Sequence, residues 1–330
     1  MMRSTKMTAT NELRALRVRE TNRYFETGRC LELVKRLTEF EEHALDCLAG
    51  GGSRRRSFIV IGESGSGKST SLERAFTMIP SFQPYQNEYG ETVRPLISIE
   101  VPKPCSTKDL AIRILHEMGL PASNRANEHE LYETVKQQLR ERRVLFLHLD
   151  EAQDLLRAPT AAAVRSLQDR LKSLIAIPDW PLHTIYSGVP DLAKLVSGDL
   201  QLANRSLVMR FEPVRFPSDK PLVEKLLRDI AVDHCGLVLA DELMTDDFLG
   251  RLVASTGGGL GTMIEMVRAA CFAALGRNRK NLTARDFAGF YDRASGSLRG
   301  DNIITSPRWR DIDRSNALTD LVAQPSKKKK

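Results

Sequence analysis

Short hydrophobic runs alternate with helically spaced hydrophobic residues over the first two thirds of the chain. Apolar runs bounded by polar turns predict buried strands, and a 3.6-residue spacing predicts amphipathic helices. The predicted strands are Phe58–Ile61, Leu96–Val101, Val144–Leu149, Leu182–Tyr186 and Leu207–Phe211. The predicted helices between them span residues 106–119, 128–140 and 163–176. Strands that alternate with helices favour an α/β fold, with a parallel five-stranded sheet sandwiched by helices.

Further helical patterns flank this region. Before the first strand, apolar residues at helical spacing predict a helix that ends at the Gly50–Gly52 run. These residues are Leu33, Leu37, Phe40, Ala44 and Leu48. From residue 217 onwards amphipathic helices are predicted near 219–234, 241–255, 260–276 and 283–294. Four parts are therefore expected: a basic segment at 1–30, an α/β core at 31–216, an all-helical domain at 217–296 and a basic tail at 297–330.

The composition is typical of a protein outside membranes. Of the 330 residues, 42% are hydrophobic and 28% are charged, and such a chain is long enough to fold by burial alone. No charge-free stretch reaches the roughly 18–20 residues that cross a bilayer. The first residues are polar and arginine-containing rather than an apolar signal segment. We therefore expect a cytoplasmic protein without a membrane partner.

The cysteines and histidines carry no recognisable metal or disulfide pattern. The five cysteines are far apart and form no CxxC pair, and the six histidines include no HExxH motif. Reduced thiols in the core, and no structural metal site, are the expectation.

The positive charge is concentrated at the two ends. The net charge is +7, and residues 1–30 contribute +4 while residues 301–330 contribute +3. The body between them is neutral. Basic ends on a neutral body favour attachment to a polyanion, most often nucleic acid, although a run such as Lys327–Lys330 is equally compatible with a solvated end.

The strongest chemical signal directly follows the first predicted strand. Residues 62–69 form a complete GxxxxGK[ST] motif, and Thr70 continues into the next helix. The motif comprises Gly62, Glu63, Ser64, Gly65, Ser66, Gly67, Lys68 and Ser69. Its glycines let backbone N–H groups point inward around phosphate, Lys68 would neutralise the β- and γ-phosphates, and the Ser69 hydroxyl would ligate Mg²⁺. The sequence thus predicts a site for ATP and Mg²⁺.

Two carboxylates follow the third predicted strand. Asp150 lies at the carboxyl end of the strand, where ligands bind in open α/β sheets, and would hold Mg²⁺ through water. Glu151 would then accept a proton from the attacking water. An apolar strand followed by two acids is common, and the preceding phosphate motif is what favours the catalytic interpretation.

Weaker signals complete a hydrolytic site. Ser187 ends the fourth predicted strand, and its hydroxyl would lie near the γ-phosphate or cap the helix that begins near Pro190. Arg205 and Arg210 flank the fifth strand. Either would serve as an arginine finger toward a neighbouring subunit, or as a surface ion-pair partner.

With these residues in place, the chain resembles AAA+ ATPases, and within them the TniB/TnsC transposition regulators, with MuB more distant. The resemblance covers residues 30–295. It rests on four segments: GESGSGKST at 62–70, LFLHLDEAQ at 145–153, YSGVPDL at 186–192 and QLANRSLVMRFEPV at 201–214. It implies a P-loop AAA+ core followed by a small helical lid.

The resemblance also implies residue roles. Lys68 and Ser69 correspond to Walker A, Asp150 and Glu151 to Walker B, and Ser187 to the sensor-1 position. Arg205 corresponds to the finger, with Arg210 as the substitute. One departure concerns the lid: many AAA+ lids place an arginine at the start of the third lid helix, whereas residues 257–262 here read GGGLGT. A weaker lid contact to nucleotide would suit a slow switch rather than a motor.

Members of this family assemble on DNA in the ATP state. The resemblance therefore implies a homo-oligomeric ring or filament on double-stranded DNA, without sequence preference, and a transposase partner, with a target-selection protein as a further candidate. Phosphate contacts would hold the DNA. The candidate contact residues are Lys103, Arg94, Lys108, Arg113 and the cluster Arg54–Arg56, and the resemblance favours the Lys103 region. Aromatic residues at Tyr24, Phe25 and Trp309 are candidates for docking a partner protein.

Two other classes stay open. A signalling or secretion AAA+ ATPase would act on proteins without DNA, and is expected to carry a membrane span or a sensor domain. A clamp-loader or initiator ATPase is expected to add a winged-helix domain, for which the residues after 296 are too few.

Overall fold

The computed structural model describes residues 2–53, 56–157, 160–197, 199–296 and 300–313. Most of the predicted tail, including Lys327–Lys330, and Arg54 and Arg55 lie outside the described residues. The chain divides into two compact units. The α/β unit comprises residues 26–64 and 68–212, and the helical unit comprises the described parts of 1–25, 65–67 and 213–330.

Strands of the α/β unit form a parallel sheet with the order β4-β5-β6-β1-β7. The strands of this unit are β1 (Ser57–Gly62), β2 (Tyr85–Gln86), β3 (Thr92–Val93), β4 (Leu96–Glu100), β5 (Phe146–Asp150), β6 (His183–Gly188) and β7 (Ser206–Phe211). The predicted five-stranded sheet and the α/β fold class are confirmed. The short antiparallel pair β2–β3 was not predicted, because two-residue strands carry no hydrophobic periodicity.

Burial explains which strands are central. Every residue of β1 and of β6 is buried, as expected for parallel strands covered on both faces. Strand β7 lies at the sheet edge and exposes Leu207, Val208 and Arg210. Since all five strands are parallel, their carboxyl ends share one edge of the sheet, and Glu100 pairs with Asp150 there.

Helices pack on this sheet through their apolar faces. The first helix of the chain, α1 (Met2–Thr21), belongs to the helical unit, and those of the α/β unit follow it. They are α2 (Gly28–Leu48), α3 (Lys68–Met78), α4 (Thr107–Glu117), α5 (Glu128–Glu141), α6 (Ala161–Leu174), α7 (Lys194–Ser197) and α8 (Leu200–Asn204). Helix α2 buries the predicted Leu33, Leu37, Phe40 and Ala44 against the sheet, whereas Leu48 is exposed at its end. A capping box between Ser106 and Asp109 fixes the start of α4.

The helical unit contains four further α-helices. They are α9 (Lys220–Leu227), α10 (Asp246–Ser255), α11 (Leu260–Gly276) and α12 (Ala284–Ser295), together with the parallel pair β8 (Val238–Leu239) and β9 (Asn281–Leu282). Two of the predicted helices are divided. Helix α9 continues as a π-helical stretch at Arg228–His234, and a 3₁₀ turn at Asp241–Met244 precedes α10. The Thr245 hydroxyl accepts the Phe248 amide and caps α10, which separates the helix from that turn.

Residues 300–313 pack on the helical unit. Trp309 is buried in its core, its Nε1 donates to Asp247 3.1 Å away, and the guanidinium of Arg251 lies over its ring. Phe25 is buried in the same core. Trp309 and Phe25 are therefore packing residues of their own chain, and their burial argues against the suggestion that these two side chains dock a partner protein.

Among the described residues, no single helix is long and apolar enough to cross a membrane. Helices α10 and α11 meet that length and composition test only as a sharply bent pair.

Candidate nucleotide site

The phosphate-binding loop lies between a strand and a helix, as the motif requires. Strand β1 ends at Gly62 and α3 begins at Lys68. Gly65 and Gly67 have φ angles of +74° and +89°, which lie in the region where a side chain is strained. These two glycines allow the turn that aims backbone N–H groups at one point ahead of the N-terminus of α3.

Lys68 is held inside this loop. It is buried, and its Nζ donates to the carbonyl oxygens of Gly62 at 2.6 Å and Glu63 at 3.0 Å. Burial lowers the pKa of Lys68, while the nearby carboxylates of Glu151 and Asp150 oppose that shift. The ammonium group is thus partly desolvated and close to the acids of the site, a position from which it can transfer its hydrogen bonds to phosphate oxygens.

Asp150 connects the loop to the neighbouring strand. Its Oδ2 accepts the Ser69 hydroxyl at 3.3 Å, and its Oδ1 accepts the Ser187 hydroxyl at 2.5 Å. The structure therefore brings together three predicted site residues from α3, β5 and β6. A helix cap by Ser187 was the alternative, and its hydroxyl instead bonds to Asp150.

A buried histidine extends this network and was not predicted. His148 Nε2 lies 2.8 Å from the Ser187 hydroxyl, and its Nδ1 lies 2.7 Å from the Ser98 hydroxyl. Burial lowers the pKa of His148 to about 4, although Asp150 opposes the shift, so the ring is neutral at pH 7. Since Ser187 donates to Asp150, the consistent tautomer has Nε2–H donating to Ser187 and Nδ1 accepting from Ser98.

Glu151 adopts a left-handed backbone conformation, with φ 53° and ψ 35°. A non-glycine residue in this region costs about 1–3 kcal/mol and is common at functional sites. Gln153 Nε2 donates to Glu151 Oε2 at 2.7 Å, and Lys103 Nζ lies 3.6 Å from the same oxygen. These two side chains therefore contact the same oxygen of the Glu151 carboxylate.

Gly188 makes room for the side chain that orients Glu151. A Cβ added at Gly188 would lie 2.2 Å from Gln153 Oε1. That same oxygen accepts the Val189 amide at 3.1 Å. Gln153 therefore links Glu151 to the end of β6, and it was missed because an amide two residues after the acids has no motif of its own.

The residues present fit ATP and Mg²⁺. Glycines with positive φ leave backbone amides accessible, and Lys68 satisfies its charge with carbonyls that are weaker partners than phosphate. The hydroxyl of Ser69 and the carboxylate of Asp150 are adjacent oxygen donors, which is the ligand chemistry Mg²⁺ prefers. Glu63, Ser64 and Thr70 are exposed around this loop.

The residues at the start of α11 include no arginine, and one of them, Gly261, has no room for a side chain. Within the helical unit the Thr262 amide donates to the Gly65 carbonyl at 3.2 Å, and a Cβ at Gly261 would lie 2.9 Å from that oxygen. A side chain at Gly261 is therefore excluded. Arg268, the first arginine of the helix, donates to the carbonyl oxygens of Thr21 and Arg23. It holds the N-terminal segment of the same unit.

The two finger candidates lie at opposite ends of the edge strand. The Ser57 amide donates to the Arg205 carbonyl at 3.0 Å, which places Arg205 at the amino end of β1, roughly 17 Å of strand from the phosphate loop. Arg210 pairs with Ile61 near that loop and is exposed. Arg205 is thus remote from the loop of its own subunit.

Three of the four individual candidates for DNA contact have partners within the chain. Lys103 is ion-paired with Glu100, Glu151 and Asp154, Lys108 Nζ donates to the Asn124 carbonyl at 2.6 Å, and Arg113 pairs with Glu117 at 3.3 Å. Arg94 is exposed and lines a cavity of about 450 Å³ that also contains Arg142 and Arg143.

Comparison with known proteins identifies the domain type. Residues 51–196 match the family described as AAA domain. No curated protein sequence matches the chain.

Several solved structures are similar to this chain at low sequence identity, and two Aeropyrum pernix structures with TM-scores above 0.5 share its fold. The Aeropyrum pernix ORC1 protein in complex with DNA is 17% identical, with a TM-score of 0.56 over 79% of this chain and 64% of that one. The Aeropyrum pernix ORC2 protein, solved as ADPNP–ADP complexes, is 16% identical, with a TM-score of 0.53 over 81% and 68%. Cdc6p from Pyrobaculum aerophilum is 19% identical, with a TM-score of 0.48 over 78% and 66%. The chain thus spans about two thirds of the length of these proteins.

Proposed function

We propose, from the AAA-type P-loop ATPase domain that residues 51–196 form, that this protein is an ATP-driven switch that assembles on duplex DNA. The observation that carries the proposal is the convergence of Lys68, Ser69, Asp150 and Glu151 at one edge of the sheet. The finer assignment, a regulator of transposition, rests on the resemblance to TniB/TnsC proteins.

The residues of this edge divide the work of hydrolysis. Lys68 and the loop amides bind and neutralise the phosphate oxygens. Ser69 and Asp150 would hold Mg²⁺, and the ion would supply neutralisation of the negative charge on the phosphates. Glu151 orients a water and accepts its proton, while Ser187 keeps Asp150 in place through the 2.5 Å hydrogen bond.

Assembly and nucleotide state are coupled through the edge strand. Because Arg205 is remote from the loop of its own subunit, a catalytic role requires a neighbouring subunit whose γ-phosphate it reaches. Such a finger contributes about 10³-fold or more to the rate. Arg210 is the alternative donor. Nucleotide between subunits would then hold the oligomer together.

DNA binding is proposed from charge and from resemblance. The basic ends account for the whole net charge of +7 and supply phosphate contacts without sequence preference. Lys103, Lys108 and Arg113 would have to exchange their internal partners for phosphates, whereas Arg94 is exposed. By resemblance, the DNA-bound oligomer would engage a transposase, with a target-selection protein as a further candidate partner.

The test compares the unchanged chain with three variants by electron microscopy and ATP hydrolysis, with duplex DNA and with ATP, a non-hydrolysable analogue or ADP. The unchanged chain is expected to form rings or filaments only with triphosphate and DNA. Lys68→Ala is expected to bind no ATP and to stay unassembled, and Glu151→Gln to assemble stably while hydrolysing at least about 100-fold more slowly. Lys35→Ala, an exposed lysine on α2, is the matched control. ATP-dependent assembly by Lys68→Ala would refute the nucleotide assignment.

Mixing variants identifies the finger. Arg205→Ala supplies an intact phosphate loop, and Lys68→Ala supplies an intact finger. If Arg205 acts across the subunit boundary, the mixture recovers part of the hydrolysis that both variants lack alone. Recovery with Arg210→Ala instead would assign that role to Arg210, and recovery with neither would leave the finger unidentified.

A further inference from the structure

A second constellation of ligand-type side chains lies at the amino end of β6. His43 and Cys47 are four residues apart on α2, so they share a face of the helix, and His183 begins β6 beside them. One ligand atom from each of the three lies within 4.8 Å of the others. Among the described residues, this is the one group of three histidine, cysteine or acidic side chains whose ligand atoms lie this close together.

The distances are close to those of a metal site. His43 Nδ1 lies 2.9 Å from His183 Nε2, and Cys47 Sγ lies 3.9 Å from His43 Nδ1. Zinc bonds of about 2.0–2.1 Å to nitrogen and 2.3 Å to sulfur would place tetrahedral ligands roughly 3.4 Å and 3.6 Å apart. The two histidine nitrogens would move apart by about 0.5 Å and Cys47 Sγ, which is also 3.9 Å from His43 Nε2, would approach His43 Nδ1 by about 0.3 Å; the sulfur lies within 4.8 Å of His183 Nε2.

The surroundings orient the ligands. His183 Nδ1 lies 2.7 Å from the Pro181 carbonyl, which fixes the tautomer with Nδ1–H and leaves the Nε2 lone pair facing His43. Metal-binding histidines are typically oriented by such a carbonyl.

A glycine turn packs against the sulfur. A Cβ added at Gly52 would lie 2.4 Å from Cys47 Sγ, and Gly52 has a φ of +79°. The turn continues to Ser53, whose amide donates to His43 Nε2 at 3.0 Å and whose hydroxyl lies 3.1 Å from the same atom. The backbone therefore closes over the cluster on its outer side.

We infer that His43, Cys47 and His183 form a binding site for a borderline-soft divalent metal ion, Zn²⁺ by its ligand chemistry, with a fourth position for water. The metal ion would take the place of the hydrogen that His43 Nδ1 donates to His183 Nε2. The Cys47 thiol releases its proton to solvent as the metal–sulfur bond forms. The His43 proton moves from Nδ1 to Nε2, and this N–H then donates a hydrogen bond to the Ser53 hydroxyl oxygen, while the Ser53 amide loses its acceptor. A hydrogen-bonded histidine pair without metal is the competing explanation.

Cobalt(II) provides the probe, since it takes zinc sites and reports on its ligands. The full-length, untagged chain is stripped with chelator, reduced and titrated with Co²⁺. We expect one equivalent to bind, with a thiolate-to-cobalt charge-transfer band and the intense visible absorption of tetrahedral Co²⁺. One equivalent of Zn²⁺ is expected to displace it and to raise the melting temperature.

Variants make the assignment specific. Cys47→Ser is expected to abolish the charge-transfer band and to weaken Zn²⁺ binding by at least tenfold, and His43→Ala to weaken it likewise. Cys30→Ser, another buried cysteine on α2, is the matched control and keeps the band. His43 is only partly buried, so this variant tests the site even if the variants at buried positions fail to fold. Absence of a charge-transfer band in the unchanged chain, or Zn²⁺ affinity that Cys47→Ser leaves unaltered, would overturn the inference.

Discussion

Lys103 and Glu151 are ion-paired: the lysine Nζ lies 3.6 Å from the glutamate Oε2 and 3.1 Å from Asp154 Oδ2. The hydrogen bond to Asp154 raises the pKa of Lys103, so its ammonium group stays charged well above pH 7. The residue that the resemblance favours for DNA contact thus lies against the residue that we propose as the catalytic base. DNA phosphates that attract Lys103 would release Glu151, which would couple DNA binding to hydrolysis.

Replacing Lys103 by Met tests this coupling. The variant keeps the length of the side chain and removes the charge, so Glu151 becomes available to water without DNA. We expect ATP hydrolysis in the absence of DNA to rise several-fold and its stimulation by DNA to shrink. Lys108→Met serves as control, since Lys108 donates to a backbone carbonyl rather than to the site. Unaltered basal hydrolysis in Lys103→Met would show that the ion pair does not restrain Glu151.

Gly188→Ala is expected to slow hydrolysis at a moderate cost in stability. The new methyl group meets Gln153 Oε1, which must turn away and give up the Val189 amide. Gln153 would then lose its bond to Glu151, and the proposed base would lose its orientation. We predict a fall in kcat of about tenfold with a loss of about 1–3 kcal/mol in the free energy of unfolding.

The matched control is Gly28→Ala at the start of α2, where an added Cβ meets no atom within 4 Å. Steady-state hydrolysis and urea unfolding of both variants are compared. A large loss of stability in Gly188→Ala, in proportion to its loss of activity, would contradict a role through Gln153.

Because His148 is buried, we predict that the free energy of unfolding decreases at acid pH. Burial lowers its pKa to about 4 from an ordinary value near 6.5, so the unfolded chain binds this proton more readily than the folded one. The neutral ring makes its full contribution to the free energy of unfolding above pH 6.5, and this contribution is lost as the pH falls toward 4. The loss is roughly 3 kcal/mol at most.

Urea midpoints at pH 7 and pH 5, without nucleotide or Mg²⁺, measure this effect. His148→Gln keeps a side-chain donor for Ser187 but does not titrate, so its stability should fall less between the two values than that of the unchanged chain. His116→Gln, at an exposed position on α4, should reproduce the behaviour of the unchanged chain. Equal pH dependence in His148→Gln would remove His148 as the cause.

Arg268→Ala is expected to free the N-terminal segment of the helical unit. The guanidinium donates to the Thr21 and Arg23 carbonyls, and nothing in alanine replaces these bonds. Trypsin should then cleave between Arg14 and Arg23 several-fold faster, as measured by mass spectrometry over time. Arg285→Ala, an exposed arginine on α12, is expected to leave the rate unchanged. Equal cleavage in the two variants would show that Arg268 does not hold the segment.

Much of this architecture could be predicted because its signals are local. Each strand of the main sheet is a short apolar run, and Leu33, Leu37, Phe40 and Ala44 follow helical spacing on α2. The phosphate loop is a contiguous motif in which every residue type has a chemical reason. Asp150 and Ser187 could be predicted because each lies near the carboxyl end of a strand, and the two strands belong to one parallel sheet.

The remainder depends on contacts between residues distant in the chain. His148 looks like any residue of an apolar strand, and only the neighbouring strands supply Ser98 and Ser187 on either side of its ring. His43 and Cys47 show helical spacing on α2, but their third partner, His183, lies on strand β6, far away in the sequence. Helix α1 was interpreted as a basic segment because its apolar positions are few, and Trp309 acquires its neighbours only in the folded helical unit.

The two tryptophans of the chain are divided between the two units, and this gives each unit its own intrinsic fluorophore. Trp180 donates its indole N–H to the Val144 carbonyl in the α/β unit, whereas Trp309 lies beneath Arg251 in the helical one. With Trp180→Phe or Trp309→Phe, emission during denaturation would report on a single unit at a time. Whether the two melt as one cooperative body or in sequence is therefore open to direct optical measurement without any added label.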